Sequence, residues 1–390
     1  TGTTDAFTVV LDAQRDSNVV LTITSGDTGE ATVTGTITFT SANWNSAQTV
    51  TVTGVDDNLI DGTINSTITV AVNDGSSDNN FDSVANQTVS VSTTDNDTAG
   101  FTIAQSGGST SVSESGTTDT FTLVLNAQPD SNVVFIVSSS DTGEATVNTP
   151  FTFSTENWDI PRTVTVTGAD DNLIDSTITS TITVTVNDGI SDDNFDGVAD
   201  QTVSVTTTDN DTAGFTIAQS GGSTSVSEDG TTDTFTVVLN AQPASDVVLT
   251  ITSSDTGEAT VNSPLTFTAG NWNSAQTVTV TGVNDNLVDG TINSTITVAV
   301  KDDSSDNNFD PVADQTVSVS TVDNDTAGFT ITETGGSTAV AETGTTDTFA
   351  VVLTAQPSSD VVLSITSGDT GEAVVNGSTA SNNILTFTSG

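Results

Sequence analysis

Cysteine, histidine, methionine and tyrosine are absent from this chain of 390 residues, and lysine and arginine together number 3. Each absence removes a class of chemistry. Without cysteine or histidine there is no Cys/His zinc site, no cysteine nucleophile and no Ser-His-Asp triad. Without disulfides, an array of domains outside the cell needs another stiffener. With so few cations the chain cannot neutralise nucleic-acid phosphates, so nucleic acid is excluded as a partner. No run of 18 apolar residues occurs, so no helix here would span a bilayer and no membrane contact is expected within this stretch.

What is present is acid: 51 Asp and Glu give a formal charge of -48. Such a balance alone suits a disordered or merely soluble chain. Here, however, apolar residues alternate with Thr and Ser in recurring runs, as in Thr163-Val164-Thr165-Val166-Thr167. A folded chain this acidic repels itself unless cations intervene or the medium is very salty.

The acid is also periodic. Thr94-Asp95-Asn96-Asp97-Thr98-Ala99-Gly100-Phe101 returns as Thr208 to Phe215 and, with Val322 for the Thr, as Val322 to Phe329, so the Phe positions fall 114 residues apart. That spacing predicts a tandem array of one domain, with boundaries at 1–98, 99–212, 213–326 and 327–390. Thr3-Thr4-Asp5 matches Thr117-Thr118-Asp119, so the first copy is expected to be truncated at its start and the fourth at its end. The stretch then reads as a window on a longer array, with any targeting or anchoring segments outside it.

Within 99–212 the pattern predicts seven or eight short strands separated by turn residues, with no helical period. The expected fold is all-β: a tandem array of Ig-like antiparallel β-sandwiches of about 114 residues each, one face β-branched and one face Thr/Ser. Trp44, Trp158 and Trp272 recur at one position beside a strand. They are read as plugs of the sandwich edge rather than as sugar-stacking platforms.

Four acidic stations recur in each period. In the second copy they are Glu114, Asp141, Asp170-Asp171 with Asp175, and Asp209 with Asp211. The third copy has Glu228, Asp255, Asp285 with Asp289, and Asp323 with Asp325. The first has Asp27, Asp56-Asp57 with Asp61, and Asp95 with Asp97; the fourth has Glu342 and Asp369. Loops after alternate strands of a sandwich emerge at the same end, so the stations can converge there. Six or more carboxylate oxygens in one volume call for a divalent ion, and Ca²⁺ accepts six to eight oxygens in flexible geometry where Mg²⁺ resists dehydration.

A Glu after the first strand, an Asp-Asp pair with an acidic residue four or five on, and an acidic triplet at the end of the unit resemble the Calx-β family. The resemblance implies a seven-stranded sandwich in which Glu114, Asp141, Asp170, Asp171, Asp175, Asp209 and Asp211 ligate Ca²⁺ at one tip. The usual run of Glu after the Asp pair is reduced here to Asp175, and Asn284 replaces the first Asp of the pair in the third copy. In style, the near-uniform Thr-rich copies resemble the arrays of giant bacterial adhesins and RTX-like surface proteins. A second acidic run, Asp74, Asp78 and Asp82 with its copies around Phe81, Phe195 and Phe309, reads equally as a second cation site or as a polar loop pinned by one Phe.

The expected role is mechanical and not enzymatic: an extracellular structural region, stalk, sheath or fibre, whose partners are its own neighbouring repeats and, laterally, other arrays. The rival expectation is a glycan- or surface-binding adhesin module.

Overall fold

The structure, a computed structural model, describes residues 2–375 and 383–389. It is all-β: no α-helix occurs among the described residues, and the strands are joined by turns and single turns of 3-10 helix. Two compact units are present. One comprises Thr1–Asp171 and Thr177–Asp209, the other Asn172–Ser176 and Asn210–Gly390.

In the second unit, residues 215–322 form two facing sheets. Four strands run in the order Phe215–Gln219, Thr232–Leu239, Gln276–Gly282, Ala259–Val261. Five run in the order Thr224–Ser227, Gln315–Val322, Ile292–Val300, Val247–Ser253, Leu265–Phe267. Strict alternation in Gln276–Gly282 sends Val278 and Val280 into the core, where both are fully buried, while Thr277, Thr279 and Thr281 face out or lie half-exposed. Phe235, Phe267 and Phe309 fill the space between the sheets with no exposed surface. Burying one such ring contributes roughly 2–3 kcal/mol, and these cores contain little else but Val, Leu, Ile and Phe.

The first unit contains the same arrangement at residues 101–208, where Phe135 meets Phe101 and Phe153 edge-on at 4.9 and 5.9 Å. This stretch has nine strands rather than seven or eight. The difference lies in the first strand. Gly107 and Gly108, both at positive φ, break it, and the chain crosses from one sheet to the other. The piece beyond the break, Thr110–Ser113, pairs in parallel with Val205–Thr208, so the sandwich is not wholly antiparallel. Thr224–Ser227 does the same against Val319–Val322.

Residues 4–94 of the first unit form a three-stranded and a four-stranded sheet around Phe39, Val50 and Ile68. In the second unit, residues 329–387 form only two two-stranded sheets among the described residues, and Phe329 and Ile331 are more than half exposed.

Trp158 and Trp272 are half-buried and pack against the cores of their repeats. Their carbonyl oxygens accept from the N–H of Leu125 and Leu239, so they close the edge of the sandwich. Asp78, Asp192 and Asp306 are buried, each beneath a 3-10 turn. Asp78 accepts from the N–H groups of Asp16, Ser17 and Asn80, and those bonds hold its carboxyl below the usual range. The second acidic run therefore has a structural use: its central Asp ties two loops together over Phe195 or Phe309.

Candidate cation site

The third repeat shows how the stations meet. Glu228 follows the strand that crosses between sheets and is 1 % exposed. Glu258 ends the turn Asp255-Thr256-Gly257-Glu258, immediately before Ala259–Val261, and is 6 % exposed. Asp285 and Asp289 lie in the loop after Gln276–Gly282, and Asp323 to Asp325 follow the last strand. Carboxylate oxygens of Glu228, Glu258 and Asp289 lie within 4.8 Å of one another, and so do those of Glu228, Asp323 and Asp325. Glu228 belongs to both groups.

Backbone hydrogen bonds fix this arrangement. The Asp323 carboxylate accepts from the N–H of Asp289 at 3.0 Å, Gly290 at 2.8 Å and Asp325 at 2.6 Å. These bonds hold its carboxyl below the usual range. Asp285 caps its own loop by accepting from Leu287 N–H at 2.7 Å. Asn324 donates its N–H to Glu228 at 3.4 Å and its side-chain amide to Asp229 and Asn284.

The other carboxyls are strained electrostatically. Burial raises Glu258, and Asp289, Glu228, Asp255 and Asp285 raise it further. Burial also raises Glu228, against the Asn324 bond, with Asp323, Asp285 and Asp289 adding to the rise. Asp289 is raised by its own desolvation and by Asp285 and Asp323. One oxygen of Glu258 and one of Asp325 are buried with no hydrogen-bond partner. Carboxylate oxygens, some of them without a hydrogen-bond partner, converge on one volume. That donor set fits a hard cation with oxygen preference.

In the first repeat Glu30, Asp57 and Asp61 group in the same way, within 4.8 Å. Asp95 accepts from the N–H groups of Asp61 and Gly62 at 3.1 Å, as Asp323 does from its counterparts. Burial raises Glu30 and Asp61, and then their acidic neighbours raise them. Asp97 is raised by burial and then by Asp95, Asp56, Asp57 and Asp61, while Asp56 is exposed. In the second repeat Glu114 and Glu144 are buried, at 1 % and 5 % exposure, in the first unit. Asp170 is exposed and Asp171 half-buried; Asp209 belongs to the first unit, Asp175 and Asp211 to the second.

The turn aspartates behave differently. Asp27, Asp141, Asp255 and Asp369 are exposed and accept from Gly29, Gly143, Gly257 and Gly371 N–H at 2.9–3.0 Å, shaping their own turns. None falls in a carboxylate group among the described residues, and neither does Glu342, which is exposed. The residue that faces the cluster is instead the Glu three positions on: Glu30 or Glu258. Sequence reading passed over it. The signal was the unvarying Asp-Thr-Gly-Glu-Ala, in which only the Asp and Gly are needed for the turn.

The loop that carries the acids also reaches the following repeat. In the second unit Leu287 bridges to Gln356, and Gln356 N–H donates to Asn286 O at 2.6 Å. In the first unit Leu59 bridges to Gln128, whose N–H donates to Asn58 O at 2.8 Å, and Ile60 packs against the core of residues 101–205.

No protein-family model matches the chain, and no curated protein matches it. Among solved structures it is similar to the crystal structure of CBD12 from CALX1.2, at 11% identity over 56% of this chain and 99% of that one, with a TM-score of 0.24. It is similar to domains 4 and 5 of the S-layer protein SbsC, at 22% identity over 48% and 76%, with a TM-score of 0.23. It is also similar to an endo-fucoidan hydrolase, MfFcnA4 from glycoside hydrolase family 107, at 11% identity over 83% and 42%, with a TM-score of 0.24. At these identities and scores none of the three assigns a role to this chain.

Proposed function

We propose that the chain is a stretch of an extracellular, cell-surface structural array whose sandwich repeats bind Ca²⁺ at their carboxylate clusters and are stiffened by it. The observation that carries this reading is the double duty of one loop. Asp285 to Asp289 supplies acid to the cluster around Glu228 and Glu258, and the residues between them, Asn286 and Leu287, hold Gln356 of the next repeat. Bound Ca²⁺ supplies positive charge that relieves the mutual repulsion of the carboxylates. The chain's own part is to keep the loop placed: Asp323 grips its far end, Asp285 its near end, and the apolar step between them faces the neighbouring repeat. Without the ion, five carboxylates repel one another and the loop loosens along with its hold on Gln356.

The units of the array would be sandwiches at 1–98, 99–212, 213–326 and 327–390. The role is a spacer or coat, as stalk, sheath or fibre. A glycan-binding reading draws on the three tryptophans, and the packing of Trp158 and Trp272 against the cores argues against it. A hydrolytic reading draws on paired carboxylates, but here the acids come in clusters of three repeated along the chain. Small-angle scattering on the chain in millimolar Ca²⁺ and then in chelator tests the proposal. A stiff particle that becomes more flexible and melts at lower temperature on chelation supports it; identical profiles and melting temperatures overturn it.

A further inference from the structure

The junction loop of the second repeat lies in the same compact unit as the third repeat. Asn172–Ser176 belongs to that second unit, while the chain on either side of it belongs to the first. Leu173 bridges in parallel to Gln242. Gln242 N–H donates to Asn172 O at 2.6 Å, and Ile174 N–H donates to Gln242 O at 3.5 Å. Ile174 itself is half-buried against the core that contains Phe309. Two residues earlier in the same bend, Asn240 N–H donates to Gly214 O at 2.9 Å, where the chain enters the third repeat. One bend after Thr232–Leu239 therefore holds both the loop and the entering chain.

A further contact comes from the second acidic run. Asp306 caps the turn Asn307–Phe309, accepting from Asn308 N–H at 3.0 Å and from Ser245 N–H at 2.9 Å. Phe309 fills the core. This cap uses the backbone of Asn308, and any residue except proline supplies that N–H. The side-chain amide of Asn308 instead donates to Ile174 O at 3.1 Å. Asn194 donates to Ile60 O at 3.5 Å in the same way. In the three copies of this turn the preceding residue varies, as Asn79, Asp193 and Asn307, whereas Asn80, Asn194 and Asn308 do not. Capping and core packing account for the Asp and the Phe of the turn; only the loop accounts for the amide.

We infer that the second acidic run is the receiving half of the junction, in which Asn308 clamps residues 172–174 and Asn194 clamps residues 58–60. Gln242 and Asn308 between them satisfy Asn172 O, Ile174 N–H and Ile174 O, and the core takes one branched side chain. Backbone groups bonded in sequence, with one side chain seated in a pocket, are how a short extended segment is recognised. Residues 56–61 and 170–175 present the same segment, Asp-Asp-Asn-Leu-Ile-Asp. Neutral amides and apolar contact carry this hold, so it operates with or without an ion. The acids of the cluster act at the root of the loop, and the receiving half acts at its tip.

Residue-resolved hydrogen exchange on the 390-residue chain, in millimolar Ca²⁺ and in chelator, tests the inference. Gln242 N–H reports the loop because it donates to Asn172 O, and Ser245 N–H reports the turn because it donates to Asp306. Asn308→Ala should speed exchange at Gln242 about fivefold, as befits one lost hydrogen bond. Asn308→Asp should speed it more, because a carboxylate then faces a carbonyl oxygen. Both effects should appear in both media. Exchange at Ser245 and in the strand Gln276–Gly282 should stay as it was, and Asn307→Ala, also at an exposed position, should change nothing. Asn194→Ala should repeat the result at Gln128, whose N–H donates to Asn58 O. Exchange at Gln242 that ignores both Asn308 variants overturns the inference. So does a rise shared equally by Ser245, which would make Asn308 a part of the turn alone. The calcium reading fails separately: chelator that leaves Gln242 exchange of the unchanged chain untouched counts against that reading, while the response to Asn308→Ala still decides the clamp.

Discussion

Asp323 holds Gly290 by a hydrogen bond of 2.8 Å from the glycine N–H, across 33 residues of chain. Asp95 holds Gly62 in the same way at 3.1 Å. The first acid of the closing triplet is thus committed to the backbone of the junction loop, and the cluster's unsatisfied oxygens come from its neighbours Asp325 and Glu258. This division of labour yields several expected outcomes.

Glu258→Gln should lower Ca²⁺ affinity of the third repeat by at least about tenfold, since ligand charge count tunes such sites over decades. Asp255→Asn, at the exposed turn position, should change it far less. Isothermal titration of the two variants beside the unchanged chain checks the contrast.

Without calcium the chain should melt higher as pH falls from neutrality toward 4.5, the ordinary Glu value. Glu228, Glu258 and Asp289 are raised in the folded state, so their contribution is fully present below their unfolded values and is lost as pH rises through their folded ones. Asp323 and Asp78 are lowered; their contribution persists above the unfolded value and disappears only as pH drops through the folded one. Saturating calcium should flatten the rise between neutrality and mild acid. Melting curves in chelator and in calcium across that range decide the matter.

Ser176 sits at φ 69, where its counterparts are Gly62 at 72 and Gly290 at 79. Ser176→Gly should therefore stabilise the chain by about 1 kcal/mol, and Gly290→Ala should destabilise it by about as much. No atom lies within 4 Å of a Cβ built at Gly290, so that cost is purely one of backbone conformation. Denaturant midpoints measure both.

Ile60→Ser should weaken the hold of the junction loop on the second repeat by about 1 kcal/mol, the value of a partly buried side chain. Calcium binding by Glu30, Asp57 and Asp61 should be nearly unaffected, because Ile60 packs against the neighbour's core and offers no ligand. Scattering in calcium should then show a more flexible particle, while titration shows an unchanged site.

Much of the fold was legible because Thr-Val alternation in runs such as Thr277–Thr281 leaves one assignment of faces, and the structure buries the Val positions as expected. The sheet switch at Gly221-Gly222 was not legible. Alternation through Thr224–Ser227 states which side chains point inward but not which sheet the backbone joins. The acidic stations could be read as clusters in loops, yet Glu258 was missed in favour of Asp255. Both lie in one four-residue turn, and Glu258 is buried next to buried Ala259, so period-two alternation fails at the point where it would have identified the inward-facing acid.

The parallel pairing of Thr224–Ser227 with Val319–Val322 has a consequence under load. These strands lie near the start and the end of the third repeat, side by side and pointing the same way. Tension applied through the chain's two directions would draw them past each other lengthwise, loading their hydrogen bonds together in shear rather than opening them one at a time like a zipper. The second repeat has the same clasp in Thr110–Ser113 against Val205–Thr208. The two glycines that turn the first strand from one sheet to the other thereby set the direction in which each of these repeats resists being pulled apart.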